Sequence, residues 1–383
     1  MSNASTNLHG SYSYTDLKGV YYGPGSVEIA LPKLLSVLGG KKALIVTGKS
    51  LYHKTDVVKT VENILKQHNA YGSTFYEIGE HAPIAGIRNG IKAYKECGAD
   101  LIVSVGGGSP VDASKAIIWN LQKESGGEFA KQIAIPTTLS AAEYTVGAGF
   151  TNDEGDKVAV SRQELAPAGI ILDAQLTLAT PERLWLSTGL RALDHTVETL
   201  YRPLIPPPVK VLCYAAIADL FKYLPRSRAN PNDIEARQKL QLASWMSLWP
   251  IRLEMQSALG LSHGLGHKLG ATYHIPHGIT SCLTLAPVVN LKAEVASKED
   301  KEWLAGALFH LRQSSTGSLE GDVRKLASEI ATLVENLGLK TDLAQYNVPR
   351  SDAPKIAERA LGSKDDPIFP QVEQLLEGLF PPE

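Results

Sequence analysis

At 383 residues the chain is too long for one ordinary hydrophobic core and implies about two domains. An apolar fraction of 44% and a formal charge of −2, with no dense basic block, describe a globular protein and argue against nucleic acid or an acidic membrane surface as a partner. The scattered cysteines Cys97, Cys213 and Cys282 make neither a disulfide framework nor a zinc pattern, and no apolar run reaches membrane-spanning length, so a reducing, cytoplasmic setting is expected.

Val20–Tyr22, followed by Gly23-Pro24-Gly25, predicts a short strand entering a turn. Lys42–Thr47 (KALIVT) is an apolar, β-rich run bounded by glycines, the pattern of a strand buried on both faces. Val57–Gln67 has apolar residues at helical spacing, Ser73–Ile78 predicts the next strand and Ile84–Cys97 the next helix. Leu101–Val105 and Gln132–Ile135 predict two further buried strands. Strand alternating with helix implies a parallel sheet covered on both faces.

Gly106-Gly107-Gly108-Ser109-Pro110-Val111-Asp112 leaves the third of these buried strands. Glycines there allow positive φ and close backbone approach to a phosphate. Ser109 is the expected N-cap, Pro110 the first helical residue, and Asp112 completes a capping-box-like spacing. The N–H groups of that helix start make a ready pyrophosphate site, and Lys115 lies one turn further in. Pro136–Thr145 (PTTLSAAEYT) is a hydroxyl-rich loop after the fourth of these strands, and in an open parallel sheet it should share a crevice with the glycine loop.

From about Pro181 the strand signal fades. Val209–Leu224, stopped by Pro225, Ile234–Leu248, Asp300–Leu311, Val323–Leu337 and Ala353–Leu361 have helical periodicity. The expected plan is an α/β nucleotide-type domain, residues 1–180, followed by an all-helical domain, residues 181–383. Within the latter, GLSHGLGHKLGATYHIPHGITSCLTL holds four histidines, His263, His267, His274 and His277. His263 and His267 are four apart on one helical face, and Pro276 predicts a turn that returns His277. Imidazoles gathered in this way serve metal or proton chemistry.

The motifs GGGSPVDASKA, PTTLSAAEYT, STGLRALDHTVETLY and HGLGHKLGATYHIPHG, in this order and spacing, resemble the iron-containing alcohol dehydrogenase superfamily over nearly the whole chain. The nearest branch is that of the maleylacetate reductases. The resemblance implies an N-terminal dinucleotide-binding parallel-sheet domain and a C-terminal helical catalytic domain, the dehydroquinate synthase-like fold. It also implies NADH or NADPH as cofactor, held at the pyrophosphate by Gly106, Gly107, Gly108 and Ser109. Thr137, Thr138 and Thr145 would line the crevice, Asp112 and Lys115 would support it, and Lys157 and Leu178 match cofactor contacts more loosely. His195, His263 and His277 match the family's three metal-ligand histidines, and His267 a histidine near the reacting carbon.

The chain departs from the family twice. The metal-dependent members carry Asp-x-x-x-His around the position of His195; here the first residue is Arg191, which cannot lose its proton or ligate a metal. Iron or zinc is therefore expected to be absent, with Arg191 as a fixed positive charge for a substrate carboxylate or a developing alkoxide. His267, or His263, would supply the proton. The plainer role for Arg191 is an ion pair to Glu198 or Asp194, although Asp194, adjacent to His195, is expected to point elsewhere. Second, Gly48 stands where NAD-preferring members often place an acid for the ribose 2′-hydroxyl, and Lys49 follows, so NADPH should serve at least as well as NADH. The expected activity is NAD(P)H-dependent reduction of a small, anionic or otherwise activated carbonyl compound by a homodimer. The alternatives are a metal-dependent alcohol dehydrogenase and a non-redox lyase or cyclase on the same fold.

Overall fold

A computed structural model describes residues 12–79, 84–151, 157–249, 251–253 and 259–382. Strands and helices alternate first: β1 (Tyr12–Tyr14), β2 (Val20–Tyr22), α1 (Val27–Leu38), β3 (Ala43–Gly48), α2 (Lys49–Lys54), α3 (Val57–Gln67), β4 (Tyr71–Ile78), α4 (Ile84–Cys97), β5 (Leu101–Gly106), α5 (Gly108–Ser125), β6 (Lys131–Pro136), β7 (Gly147–Thr151), β8 (Lys157–Ser161), β9 (Gly169–Leu172) and α6 (Ala174–Thr177). Helices then dominate: α7 (Glu182–Tyr201), α8 (Pro207–Ala229), α9 (Ile234–Ser247), the strand β10 (Ile251–Leu253), α10 (Leu261–Tyr273), α11 (His277–Val295), α12 (Lys298–His310), α13 (Leu319–Asn336), α14 (Ala353–Leu361) and α15 (Phe369–Glu377).

The chain divides into two compact units. The sheet unit holds Ser13–Pro181 and Asn232–Arg252; the helical unit holds Glu182–Pro231 and Leu253–Glu383. Six parallel strands run in the order β2-β9-β6-β5-β3-β4, and β7 and β8 form a separate antiparallel hairpin. Successive residues of β3 explain the continuous apolar runs. Ile45 packs with Leu34, Val58, Val61 and Val103 on one face, while Leu44 and Val46 pack with Ile87, Ile102 and Ile117 on the other. The strand after β3 lies on one side of it and the next, β5, on the other. That switch point, where neighbouring crossovers diverge, sets the ends of β3 and β5 side by side as a natural ligand crevice.

Two boundaries differ from the expectation. The segment Asn232–Arg252, expected in the helical domain, belongs to the sheet unit. Leu242, Trp245 and Leu248 pack against Ala141, Tyr144, Ile170 and Leu172. Polar side chains of α9 meanwhile satisfy loop and strand-end carbonyls: Arg237 donates to Thr177 (2.8 Å), Gln238 to Leu172 (3.0 Å), Gln241 to Pro136 (3.3 Å) and Ser244 to Leu139 (3.2 Å). Helix α8 also runs through Pro225 to Ala229 instead of stopping there. Burial of Tyr223, Leu224 and Ser227 on its inner side offsets the lost backbone hydrogen bond.

Candidate active site

In the sheet unit, β5 ends at Gly106 with φ 137°, a conformation open to glycine. Helix α5 begins at Gly108 with Gly107 at its N-cap, so Ser109 is not the cap and Pro110 is not the first residue. The glycines let the helix start two residues early, and no side chain caps it. The reason is packing: a Cβ on Gly107 would lie 3.1 Å from the Thr138 methyl, and one on Gly108 would lie 3.2 Å from Ser140 Oγ. The backbone N–H groups of an 18-residue helix, with no acid in its first turn, thus open beside Thr138 and Ser140. Such a cradle suits a pyrophosphate.

Lys115 does not reach toward that cradle. It is fully buried and its Nζ donates to Ala142 O (2.7 Å), Thr145 Oγ1 (2.7 Å) and Gly147 O (3.0 Å), with Asp112 at 3.6 Å. Asp112 and Lys115 therefore pin the loop, and the Thr145 hydroxyl is engaged within the unit. Thr137 is buried, its carbonyl accepting from Thr180 Oγ1 at 2.7 Å. Leu178 is 40% exposed just after α6. Lys157 opens β8, opposite Thr151, but its side chain lies outside the described residues. Gly48 ends β3 with an ordinary extended backbone, and a Cβ there would meet only Ile78 O at 3.9 Å. Neither strain nor crowding requires glycine at this position.

The helical unit holds the second set. Arg191, Asp194, His195 and Glu198 share the buried length of α7, and α10 and α11 bring His263, His267 and His277. The turn between them ends α10 at His274, in the left-handed region (φ 56°), and starts α11 at His277, as the sequence predicted. The ring centres of His195 and His263 are 4.7 Å apart, those of His263 and His267 6.5 Å, and those of His267 and His277 5.6 Å. Glycines allow this crowding. A Cβ on Gly260 would stand 2.6 Å from Glu198 Oε1, one on Gly266 2.7 Å from Thr280 Oγ1, and one on Gly278 2.6 Å from the Ser187 backbone.

Asp194 does not point elsewhere; it lies within this cluster. Its Oδ2 accepts from Ser281 Oγ (2.6 Å) and Ser262 Oγ (3.1 Å), lies 3.6 Å from Arg191 Nη1 and 3.4 Å from His263 Nδ1. Arg191 also donates to Ser281 Oγ at 3.2 Å. Glu198 Oε2 takes His263 Nδ1 at 2.7 Å, and Oε1 caps α10 by accepting from Ser262 N at 2.7 Å. The sequence signal for these carboxylates was the spacing 191, 194, 198, which is one helical stripe.

Charge follows geometry. Burial lowers the Arg191 pKa, opposed by Asp194 and Glu198. Burial raises Asp194, but His263 and Arg191 outweigh it and hold the carboxyl below its usual range. Burial and Arg191 push His263 down, yet Asp194 and Glu198 prevail and raise it. Burial, with the neighbouring cations, drives His195 well below its ordinary value, so it stays neutral. Arg191 and His263 thus face the carboxylates of Asp194 and Glu198.

The residues present supply only part of the metal set that the resemblance implies: His195, His263 and His277 are gathered, but Arg191 stands where the fourth ligand would be. Asp194, Glu198 and His263 do offer donor atoms within 4.8 Å of one another. However, the guanidinium, which offers no lone pair, lies against the same Asp194 oxygen, and Glu198 holds His263 Nδ1, leaving Nε2 as the donor atom of that ring. An added dication would face the Arg191 guanidinium.

Residues 18–174 match the family model described as iron-containing alcohol dehydrogenase, and residues 185–378 that described as Fe-containing alcohol dehydrogenase family, C-terminal. The chain is 27% identical over 344 residues to maleylacetate reductase 1 of Cupriavidus pinatubonensis, covering 89% of this chain and 88% of that protein. It is 29% identical over 278 residues to 1-propanol dehydrogenase PduQ of Salmonella typhimurium, covering 72% of each. Its fold is similar to that of a solved 1,3-propanediol oxidoreductase, with a TM-score of 0.86 and 25% identity over 97% of this chain and 100% of that one. On this evidence the chain is an oxidoreductase belonging to the iron-containing alcohol dehydrogenase family.

Proposed function

We propose that this enzyme moves hydride from NAD(P)H to a small activated carbonyl compound, with the Arg191–Asp194 ion pair in place of a resident metal. The observation that carries this reading is the 3.6 Å pair itself, buried on α7 where metal-dependent members place a ligand. The glycine cradle at the start of α5 would hold the cofactor pyrophosphate through backbone N–H groups. Space at Gly48, with Lys49 next to it, would admit a 2′-phosphate, so NADPH should be used at least as well as NADH. Arg191 and the hydroxyls around it would oppose charge growing on the substrate oxygen, and a histidine of α10 would supply the proton. A guanidinium whose charge is matched by Asp194 polarises less strongly than a metal, which favours carbonyls that are already activated. That match also removes the surplus cation that argued for an anionic substrate.

The test is the metal content of purified enzyme together with rates, with and without chelator, on simple aldehydes, α-keto acids and maleylacetate-type substrates using both nicotinamides. Chelator-resistant turnover by metal-free protein is the expected result. One tightly bound iron or zinc per chain, with activity lost on chelation, would overturn the metal-free reading.

A further inference from the structure

Lys115 lies two turns into α5 from the glycine cradle and is fully buried. An ammonium has three N–H donors, and here each has its own acceptor: Ala142 O at 2.7 Å, Thr145 Oγ1 at 2.7 Å and Gly147 O at 3.0 Å. No donor is left over for a phosphate, and Asp112, 3.6 Å away, offsets the charge. The three acceptors span the single turn Ala142–Tyr144 and the first residue of β7. The chain enters that turn through Ala141, which is buried and in the left-handed region at φ 61°. A residue with a Cβ holds this conformation only where its surroundings impose it. Lys115 grips the carbonyl of the very next residue. From the other side, a Cβ on Gly108 would lie 3.2 Å from Ser140 Oγ and 3.6 Å from the Ala142 Cβ. The strained turn is thus one wall of the cradle, and the ammonium holds that wall from behind.

We propose that Lys115 is a positioning residue for the nicotinamide cofactor. It fixes residues 141–147 against the start of α5 and so sets cofactor affinity through shape, not through its charge. This rests on the nicotinamide-dependent reading above and is independent of whether a metal is bound. A wall already in place reduces the ordering entropy lost when the cofactor binds. Without the ammonium, two buried carbonyls and a hydroxyl lose a donor and Ala141 is free to relax.

Lys115→Met removes the three donors and keeps the length of the side chain. Binding of NADPH and of NADH, followed by nicotinamide fluorescence without a carbonyl substrate, should weaken about tenfold. The nicotinamide KM should rise with it, while kcat at saturating cofactor and the carbonyl KM stay within about threefold of wild type. The dependence of log Kd on log ionic strength should keep its wild-type slope, since no phosphate-facing charge is lost. Adding Ala141→Gly to Lys115→Met should recover part of the affinity, because glycine adopts the left-handed turn unaided. Wild-type affinity in a folded Lys115→Met protein, or no recovery on adding Ala141→Gly, would overturn the proposal. A flattened salt slope would overturn it in favour of a charge acting on the phosphates. Should Lys115→Met not fold, Thr145→Val decides, because it deletes one of the three acceptors at nearly constant size. Binding weakened at least about threefold supports the proposal, and unchanged NADPH binding overturns it. Wild-type protein that binds neither nicotinamide would overturn the parent reading instead.

Discussion

Arg191 and Asp194, one turn apart on α7, face each other at 3.6 Å with both side chains buried. A buried pair is weak evidence for net stability, but breaking one is costly because it strands the other charge. Arg191→Met leaves Asp194 and Glu198 facing His263 alone, and should destabilise the protein by about 3–5 kcal/mol. Asp194→Asn should also destabilise it. The double variant should be more stable than the two single losses predict, with a coupling of about 1 kcal/mol or more in a double-mutant cycle read by urea unfolding. Additive losses would show that the pair does not act as a unit.

Gly260 and Gly48 make a paired test of what glycine is for. At Gly260 an added methyl meets Glu198 and the Tyr201 hydroxyl inside normal contact distance. Gly260→Ala should therefore cost about 1–3 kcal/mol through displacement of Glu198 and Tyr201. At Gly48 the space is open and the backbone ordinary, so Gly48→Ala should change stability by no more than about 0.5 kcal/mol. Thermal melts of the two variants compare them directly.

Gly48→Asp tests cofactor choice. A carboxylate at the end of β3 would accept from a ribose 2′-hydroxyl and repel a 2′-phosphate. The ratio of kcat/KM for NADPH over NADH should fall at least about tenfold, equivalent to about 1.4 kcal/mol. An unchanged ratio in steady-state kinetics would place the ribose elsewhere.

Glu143 sets a pH dependence of stability. Burial raises its pKa from 4.5 to about 7, with backbone hydrogen bonding and Lys115 opposing the rise. A carboxyl whose folded pKa is raised stabilises the fold in its protonated form. That contribution is complete below pH 4.5 and is lost as pH rises through about 7. Its size is on the order of 3 kcal/mol for a carboxyl raised from 4.5 to about 7. Glu143→Gln should flatten this part of the stability–pH curve and be the more stable protein at pH 8. Denaturant melts across that range would show it, and parallel curves would contradict it.

Much of the fold was legible because buried parallel strands advertise themselves: ALIVTG and LIVSVG are apolar on both faces, and both are central strands. Val57–Gln67, Ile84–Cys97 and Ala353–Leu361 likewise show their helical period and form helices with those same bounds. The placement of α9 was not legible, since its period says helix but not which unit its Leu242 and Trp245 will cover. Nor was the helix start at Gly108. Capping preference favoured Ser109, whereas the approach of Thr138 and Ser140 to the glycines is a contact across some thirty residues of sequence.

By itself the sequence determined the family, the parallel sheet followed by helices, the glycine turn and the gathered histidines, because local periodicity and ordered motifs carry that information. Arg191 could also be read from it as a residue that cannot bind metal. Only the tertiary structure decided where the charge of Arg191 goes. Helix α7 presents Arg191, Asp194 and Glu198 to His263, Ser262 and Ser281, which arrive from segments more than sixty residues away. Ionisation in a buried cluster depends on such distances and on lost water, neither of which is written in residue order.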